Sequence, residues 1–221
     1  ASGRDGTPTT LLNTRRIGSP PKDPLVPDFD LEGIEANQPS ELEGAGKVTG
    51  QNGKLRYGFL AAIEDDTKLD GEVNGQPLGV LQDGRQFSVA RLIYEDTSTG
   101  DRRSIGWMST NVAHPQEDAT VHGIDGHYLT ADGRWNTDAQ IMFSDVNDVT
   151  GRGGFFDVTY TPQRGRSHKL SMDYYDDTLD INDFGFLRRN DNIAARYRYN
   201  RNDSNLANLR SRNTTIKLVQ E

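Results

Sequence analysis

From Lys47 onward, apolar and polar residues alternate one by one along the chain. Leu55, Tyr57, Phe59, Ala61 and Ile63 share one parity, and Lys54, Arg56, Gly58 and Glu64 take the other. A period of two belongs to a β-strand whose faces meet unlike surroundings, because successive Cβ atoms point to opposite sides. The period returns in 86–95 with Phe87, Val89 and Ile93, and in 103–112 with Ile105 and Trp107. It recurs in 134–144, where Trp135, Thr137, Ala139, Ile141 and Phe143 oppose Asn136, Asp138 and Gln140. Phe156, Val158 and Tyr160 repeat it, then Leu170, Met172 and Tyr174, then Ile193, Ala195, Tyr197 and Tyr199. Phe184 and Phe186 mark a short strand between these, and 209–219 a last, more polar one. In 119–130 the apolar parity changes between Val121 and Ile124, which predicts a bulge near Gly123.

Turn chemistry separates these runs. Thr97-Ser98-Thr99-Gly100-Asp101, Ala131-Asp132-Gly133 and Pro162-Gln163-Arg164-Gly165 predict tight reversals, while the acidic, Gly-rich stretch 65–84 reads as a long loop. Gly151-Arg152-Gly153-Gly154 lacks the Lys-Ser/Thr and the helix of a phosphate-binding loop and reads as a flexible turn. The result is about ten strands of roughly ten to twelve residues, longer than the ~5–6 of ordinary globular strands and close to the ~9–11 of a tilted membrane-crossing strand. No segment holds a helical period. The fold class predicted is all-β: an antiparallel up-and-down (meander) sheet, forming a transmembrane β-barrel or a section of a larger one. Residues 1–46 are expected to be an N-terminal strand near 11–18 and an irregular loop, or else a linker, since Pro20, Pro21, Pro24 and Pro27 bar a helix or an internal strand there. Residues 47–221 are expected to supply the barrel strands.

Composition sharpens this picture by exclusion. The net charge of −8 and pI near 5.0 argue against a nucleic-acid partner, which needs a basic face to hold phosphates. Only 33% of residues are hydrophobic and the mean hydropathy is −0.76, which a wall with one polar face on every strand would give and intrinsic disorder would give too; periodicity, not composition, separates the two. With no cysteine, disulfides, thiolate metal sites and cysteine nucleophiles are excluded. No apolar run approaches the ~20 residues of a transmembrane helix, and no signal peptide opens the chain. Tyr57, Trp107, Tyr128, Trp135, Tyr160, Tyr174 and Tyr199 fall at or near strand ends on the apolar parity, as in the aromatic girdles of membrane barrels.

A train of short motifs runs through the chain: Thr14-Arg15-Arg16-Ile17-Gly18, Gly46-Lys47-Val48-Thr49-Gly50, Tyr57-Gly58-Phe59-Leu60, Phe87-Ser88-Val89-Ala90-Arg91-Leu92, Ser104-Ile105-Gly106 and Asp183-Phe184-Gly185-Phe186-Leu187-Arg188-Arg189-Asn190-Asp191. In this order they resemble the barrel portion of a bacterial outer-membrane family of unassigned function, whose members carry an N-terminal domain similar to family 9 carbohydrate-binding modules. The resemblance runs from Thr14 to about Tyr199. It implies a bacterial outer-membrane location, a porin-like or receptor-like role in passage or binding of a solute, and, through the absent partner domain, a saccharide ligand. Because that domain is missing and the chain ends Leu218-Val219-Gln220-Glu221 without a terminal aromatic, it is expected to be part of a longer protein.

Candidate chemistry is sparse. Arg196 and Arg198 share one strand face, and Arg210 and Arg212 share one face of the next. Together they would make a guanidinium patch in a lumen, suited to anionic solutes or sugar acids because guanidinium grips carboxylate and phosphate in pairs. Acidic neighbours such as Asp157 and Asp173 would instead make a structural lattice of them. Asp176, Asp177, Asp180, Asn182 and Asp183 form an oxygen-rich loop whose spacing misses the calcium-loop pattern, and Asp145, Asn147 and Asp148 stand no closer to it. His122 and His127 differ in parity and cannot share a metal within a regular strand, while His114 and His168 stand alone. No nucleophile elbow or catalytic constellation is present, so the expectation is a non-enzymatic protein without a cofactor or metal. Expected partners are outer-membrane lipid, a saccharide or anionic solute, and other segments of the same protein or other envelope proteins. The competing reading is a soluble or surface-exposed β-sheet binding or assembly module that never enters a membrane.

Overall fold

The computed structural model describes residues 9–21, 24, 26–31, 38–114, 118–206 and 209–220. The fold is all-β. After a single 3-10 turn at Thr14–Arg16, thirteen strands follow: β1 (Phe29–Leu31), β2 (Leu42–Asn52), β3 (Leu55–Glu64), β4 (Thr67–Val73), β5 (Gln76–Gln82), β6 (Gln86–Asp96), β7 (Arg102–Ala113), β8 (Ala119–Leu129), β9 (Trp135–Val146), β10 (Val149–Gln163), β11 (Arg166–Tyr175), β12 (Asn192–Leu206) and β13 (Leu209–Gln220). Ten of them form one antiparallel meander in the order β13-β12-β11-β10-β9-β8-β7-β6-β3-β2. The sheet is not closed into a barrel, so β2 and β13 are its two edges. Strands β1, β4 and β5 make a separate small sheet, in which β4 and β5 form the insertion that joins β3 to β6 in sequence.

The predicted meander is therefore present, with five corrections. The stretch 65–84 is not a loop but holds the β4–β5 hairpin. Asn74-Gly75 turns it with φ of 52° and 73°, the positive pair that a two-residue type I′ turn demands. No bulge occurs at Gly123, where the register with β7 and β9 runs unbroken. The change of parity has another cause: Val121 faces a buried cluster on one side of the sheet, and Ile124 and Tyr128 lie exposed on the other. Gly151–Gly154 lies inside β10 rather than in a turn, and its glycines serve close packing: a Cβ on Gly151 would run into the Leu179 backbone. Phe184 and Phe186 are not in a strand of the sheet, since 176–191 folds back over it and, among the described residues, makes one isolated bridge, Thr10 to Phe186. Finally, 11–18 is not a strand but contains the 3-10 turn Thr14–Arg16, capped by the Asn13 side chain, which accepts from the Arg15 N–H.

The two sides of the sheet differ. One is covered at one end by the N-terminal segment and by 176–191, where Leu11, Leu179, Ile181 and Leu187 pack on Val121, Met142 and Tyr175. Beside them Phe184 packs edge-on against Phe87, centroids 4.9 Å apart, among Ala62, Val89, Val112 and Ala119. Backbone bonds stitch the two covering segments together: Asn13 N–H to the Phe184 carbonyl at 2.6 Å and Phe186 N–H to that of Thr10 at 2.7 Å. All this occupies the end where the longer connections lie, the loop end. The opposite end is made of the short turns 53–54, 97–101, 130–134 and 164–165. The other side of the sheet has no covering segment among the described residues.

Candidate functional site

On the bare side the alternation seen in the sequence becomes a surface. Tyr57, Leu92, Trp107, Ile124, Ile141, Gly154, Tyr174 and Ile193 lie in one continuous cross-strand row from β3 to β12, so Trp107 sits at the middle of β7 and not near a strand end as expected. Phe59, Tyr94, Ile105, Phe143, Phe156, Met172 and Leu218 extend it, all exposed. A soluble monomer rarely exposes an apolar patch beyond ~300–600 Å², and this one crosses nine strands.

The borders of the apolar field are polar and slide together. On β7 Arg103 lies four residues from Trp107 toward the turn end, whereas on β12 Arg201 lies eight residues from Ile193 in the same row. At the loop end Asn111 on β7 lies four residues from Trp107, whereas Arg152 on β10 lies two from Gly154. The field thus runs obliquely across the hydrogen-bonded rows. Tilted strands crossing a level slab have this pattern.

The covered side changes character half way along the strands. Toward the loop end lies a buried ion pair, Glu64 with Arg85, whose Nε and Nη2 donate to the carboxylate at 2.6 and 3.0 Å. The same carboxylate accepts the Gly18 N–H at 2.8 Å, and Arg85 donates to the Ser19 carbonyl at 2.6 Å. This knot ties the N-terminal segment to β3. Toward the turn end the side chains form a half-exposed lattice. Arg56 and Arg102 converge on Glu95 at 2.7 and 3.0 Å, Arg91 grips Asp125 with both Nη atoms, and His127 Nδ1 lies 2.7 Å from Asp138. Lys169 reaches Asp157 at 3.5 Å, and Arg196 pairs with Asp173, whose carboxylate, unlike the others, is buried.

These contacts divide the predicted arginine patch. Arg196 is spent on buried Asp173, as the lattice alternative has it. Arg198 instead stands in register with Lys169 on β11 and Lys217 on β13, a row of three cations. Only Lys169 has a carboxylate partner among the described residues. In the next row Thr215 Oγ1 donates to Asn200 Oδ1 at 3.0 Å. Arg198, Lys217, Asn200 and Thr215 line one open hollow of about 540 Å³. The side chains of Arg210 and Arg212 lie outside the described residues. Lys217 was not singled out from the sequence, because its place opposite Arg198 depends on the β12–β13 register.

The other candidates have structural duties. Asp176 accepts the Arg152 N–H at 2.9 Å, Asp180 accepts from Asn182, and Asn147 accepts the Asp118 N–H at 3.1 Å. No group of three or more metal-ligating side chains occurs among the described residues. His122 lies on the bare side, its ring stacked 6.3 Å from Trp107, while His127 lies on the covered side, as their opposite parities require. Among the described residues no helix is long and apolar enough to cross a membrane, which does not bear on strands.

No curated protein and no solved structure matches this chain. A family model does, over residues 7–218, and its description is a domain of unknown function. That match spans nearly the whole chain and both sides of the sheet, and by it the chain belongs to the DUF5916 family.

Proposed function

We propose that the chain is wall of a bacterial outer-membrane β-barrel, its bare side toward lipid and its covered side toward a lumen that passes or binds an anionic solute. The observation that carries this reading is the oblique apolar field with polar borders. Its height supports the reading as well. From Arg152 to Tyr160 on β10 is eight residues, and Arg166 lies two residues beyond His168, the register partner of Tyr160. Ten residues at ~3.4 Å each, tilted by about 40°, rise roughly 26 Å, against the ~25 Å apolar band of such barrels.

On the lumen side the mechanism is electrostatic. Paired charges toward the turn end fix the wall, and the uncompensated Arg198 and Lys217 supply a positive site for a carboxylate or phosphate, saccharide acids included. The protein acts without covalent chemistry. The full natural gene product should sediment with outer membranes and leave them only with detergent. Release by salt or alkali alone would reject the wall reading. In planar bilayers, Arg198→Gln with Lys217→Gln should lower anion over cation preference several-fold, and an unchanged reversal potential would reject the solute site.

A further inference from the structure

We propose that the bare side holds a site for one anionic phospholipid, with its phosphate at Arg166 and Arg201 and one acyl chain lying along β11 and β12. The inference rests on the wall reading and adds a specific partner to it. Arg166 stands directly opposite Arg201 in the β11–β12 register. Like charges so placed repel unless an anion sits between them. Arg201 has Asp203, whose carboxylate accepts its Nε–H at 3.0 Å, whereas Arg166 has no ion-pair partner among the described residues. One guanidinium therefore remains to grip a phosphate in two-point fashion.

The rows that follow fit the rest of a lipid. Next to the arginines comes one ring per strand across four strands, Trp135, Tyr160, His168 and Tyr199. Trp135 stacks on Tyr160 with centroids 4.3 Å apart, and His168 Nδ1 lies 2.6 Å from the Tyr197 hydroxyl. Rings with an apolar body and a polar handle settle at headgroup depth. Farther along, the bulky surface opens into a furrow of about 650 Å³ over Gly154 and Ala195, walled by Ile141, Phe156, Tyr174 and Ile193. Ala195 lies six residues from Arg201, about 20 Å along the strand at ~3.4 Å per residue and roughly 15 Å in depth at a tilt of about 40°. Half of a ~30 Å hydrocarbon core is the same length, so an acyl chain hung from the arginines ends in the furrow. A second copy of the chain suits the place poorly, since twofold contact would set Arg166 and Arg201 against their own duplicates.

The test uses the full chain in detergent micelles, titrated with phosphatidylglycerol, phosphatidylcholine or inorganic phosphate and read by native mass spectrometry. Phosphatidylglycerol should bind at least tenfold more tightly than phosphatidylcholine, and phosphate alone should not compete at millimolar levels. Arg166→Gln should abolish the preference between headgroups. Ala195→Leu, which fills the furrow without touching charge, should weaken both lipids about tenfold. Equal affinities in the wild type, competition by free phosphate, or an unaltered Ala195→Leu would each overturn the lipid site. Brominated lipids separate that failure from failure of the wall reading. Trp107 should be quenched by deep bromines and Trp135 by shallow ones, each measured with the other Trp replaced by Phe. If neither is quenched, the wall reading falls along with the site. Deep quenching of Trp107 without headgroup preference removes the lipid site alone.

Discussion

The two ends of the covered side use the same ion-pair chemistry to opposite degrees of commitment. At the loop end Glu64 and Arg85 are enclosed, with side chains 1% and 10% exposed, and their bonds to Gly18 and Ser19 tie the N-terminal segment to the sheet. At the turn end Arg91 and Asp125 form an equally close two-point pair, yet about a quarter of each side chain remains in contact with solvent. Close geometry alone does not set the worth of an ion pair. The medium does, because a charge left without its partner in a dry place costs several times what it costs beside water.

That contrast can be broken by substitution. Glu64→Ala should destabilise the fold by about 3–5 kcal/mol, since Arg85 is left charged and enclosed; chemical denaturation in micelles would measure it, and a loss below 1 kcal/mol would contradict the contrast. Gly151→Ala should cost about 1–3 kcal/mol by overpacking. Its added methyl meets the Leu179 backbone, so the visible result is faster proteolysis within 176–191. Arg91→Gln, by comparison, should cost no more than about 1 kcal/mol, in keeping with its part exposure.

The smallest effect belongs to Asp132 in the turn before β9. Its carboxylate is held below the ordinary 3.8 first by the hydroxyl of Thr130 and then by the Arg134 N–H. A lowered folded value means that the turn gains stability above pH 3.8 and loses it as pH falls through the folded value. Asp132→Asn should flatten this small acid dependence, leaving stability at neutral pH nearly unaltered.

The sequence makes the bare side readable and the covered side obscure. A strand that shows Trp107, Ile105 and Arg103 to one medium repeats with a clean period of two, and alternation reports that medium directly. The covered side meets protein at one end and charged neighbours at the other, so its apolar residues start and stop within a strand. Val121 therefore looked like a bulge, and Phe184 and Phe186, which pack onto the sheet from outside it, looked like a strand. The β4–β5 hairpin was legible in Asn74-Gly75 but hidden among Asp65, Asp66, Asp70 and Glu72, which suggest a loop. The cation row failed to show for another reason: Lys217 gains meaning only opposite Arg198, and register between strands is not written in either strand alone.

The unpaired edges carry an arithmetic of their own. In a meander of ten strands the first and the last run in opposite directions. β2 and β13 can accordingly meet each other, or be bridged by an even number of further strands, and by no odd number if every neighbour is to stay antiparallel. If the sheet closes as the proposed wall requires, the strands added to it are even in number.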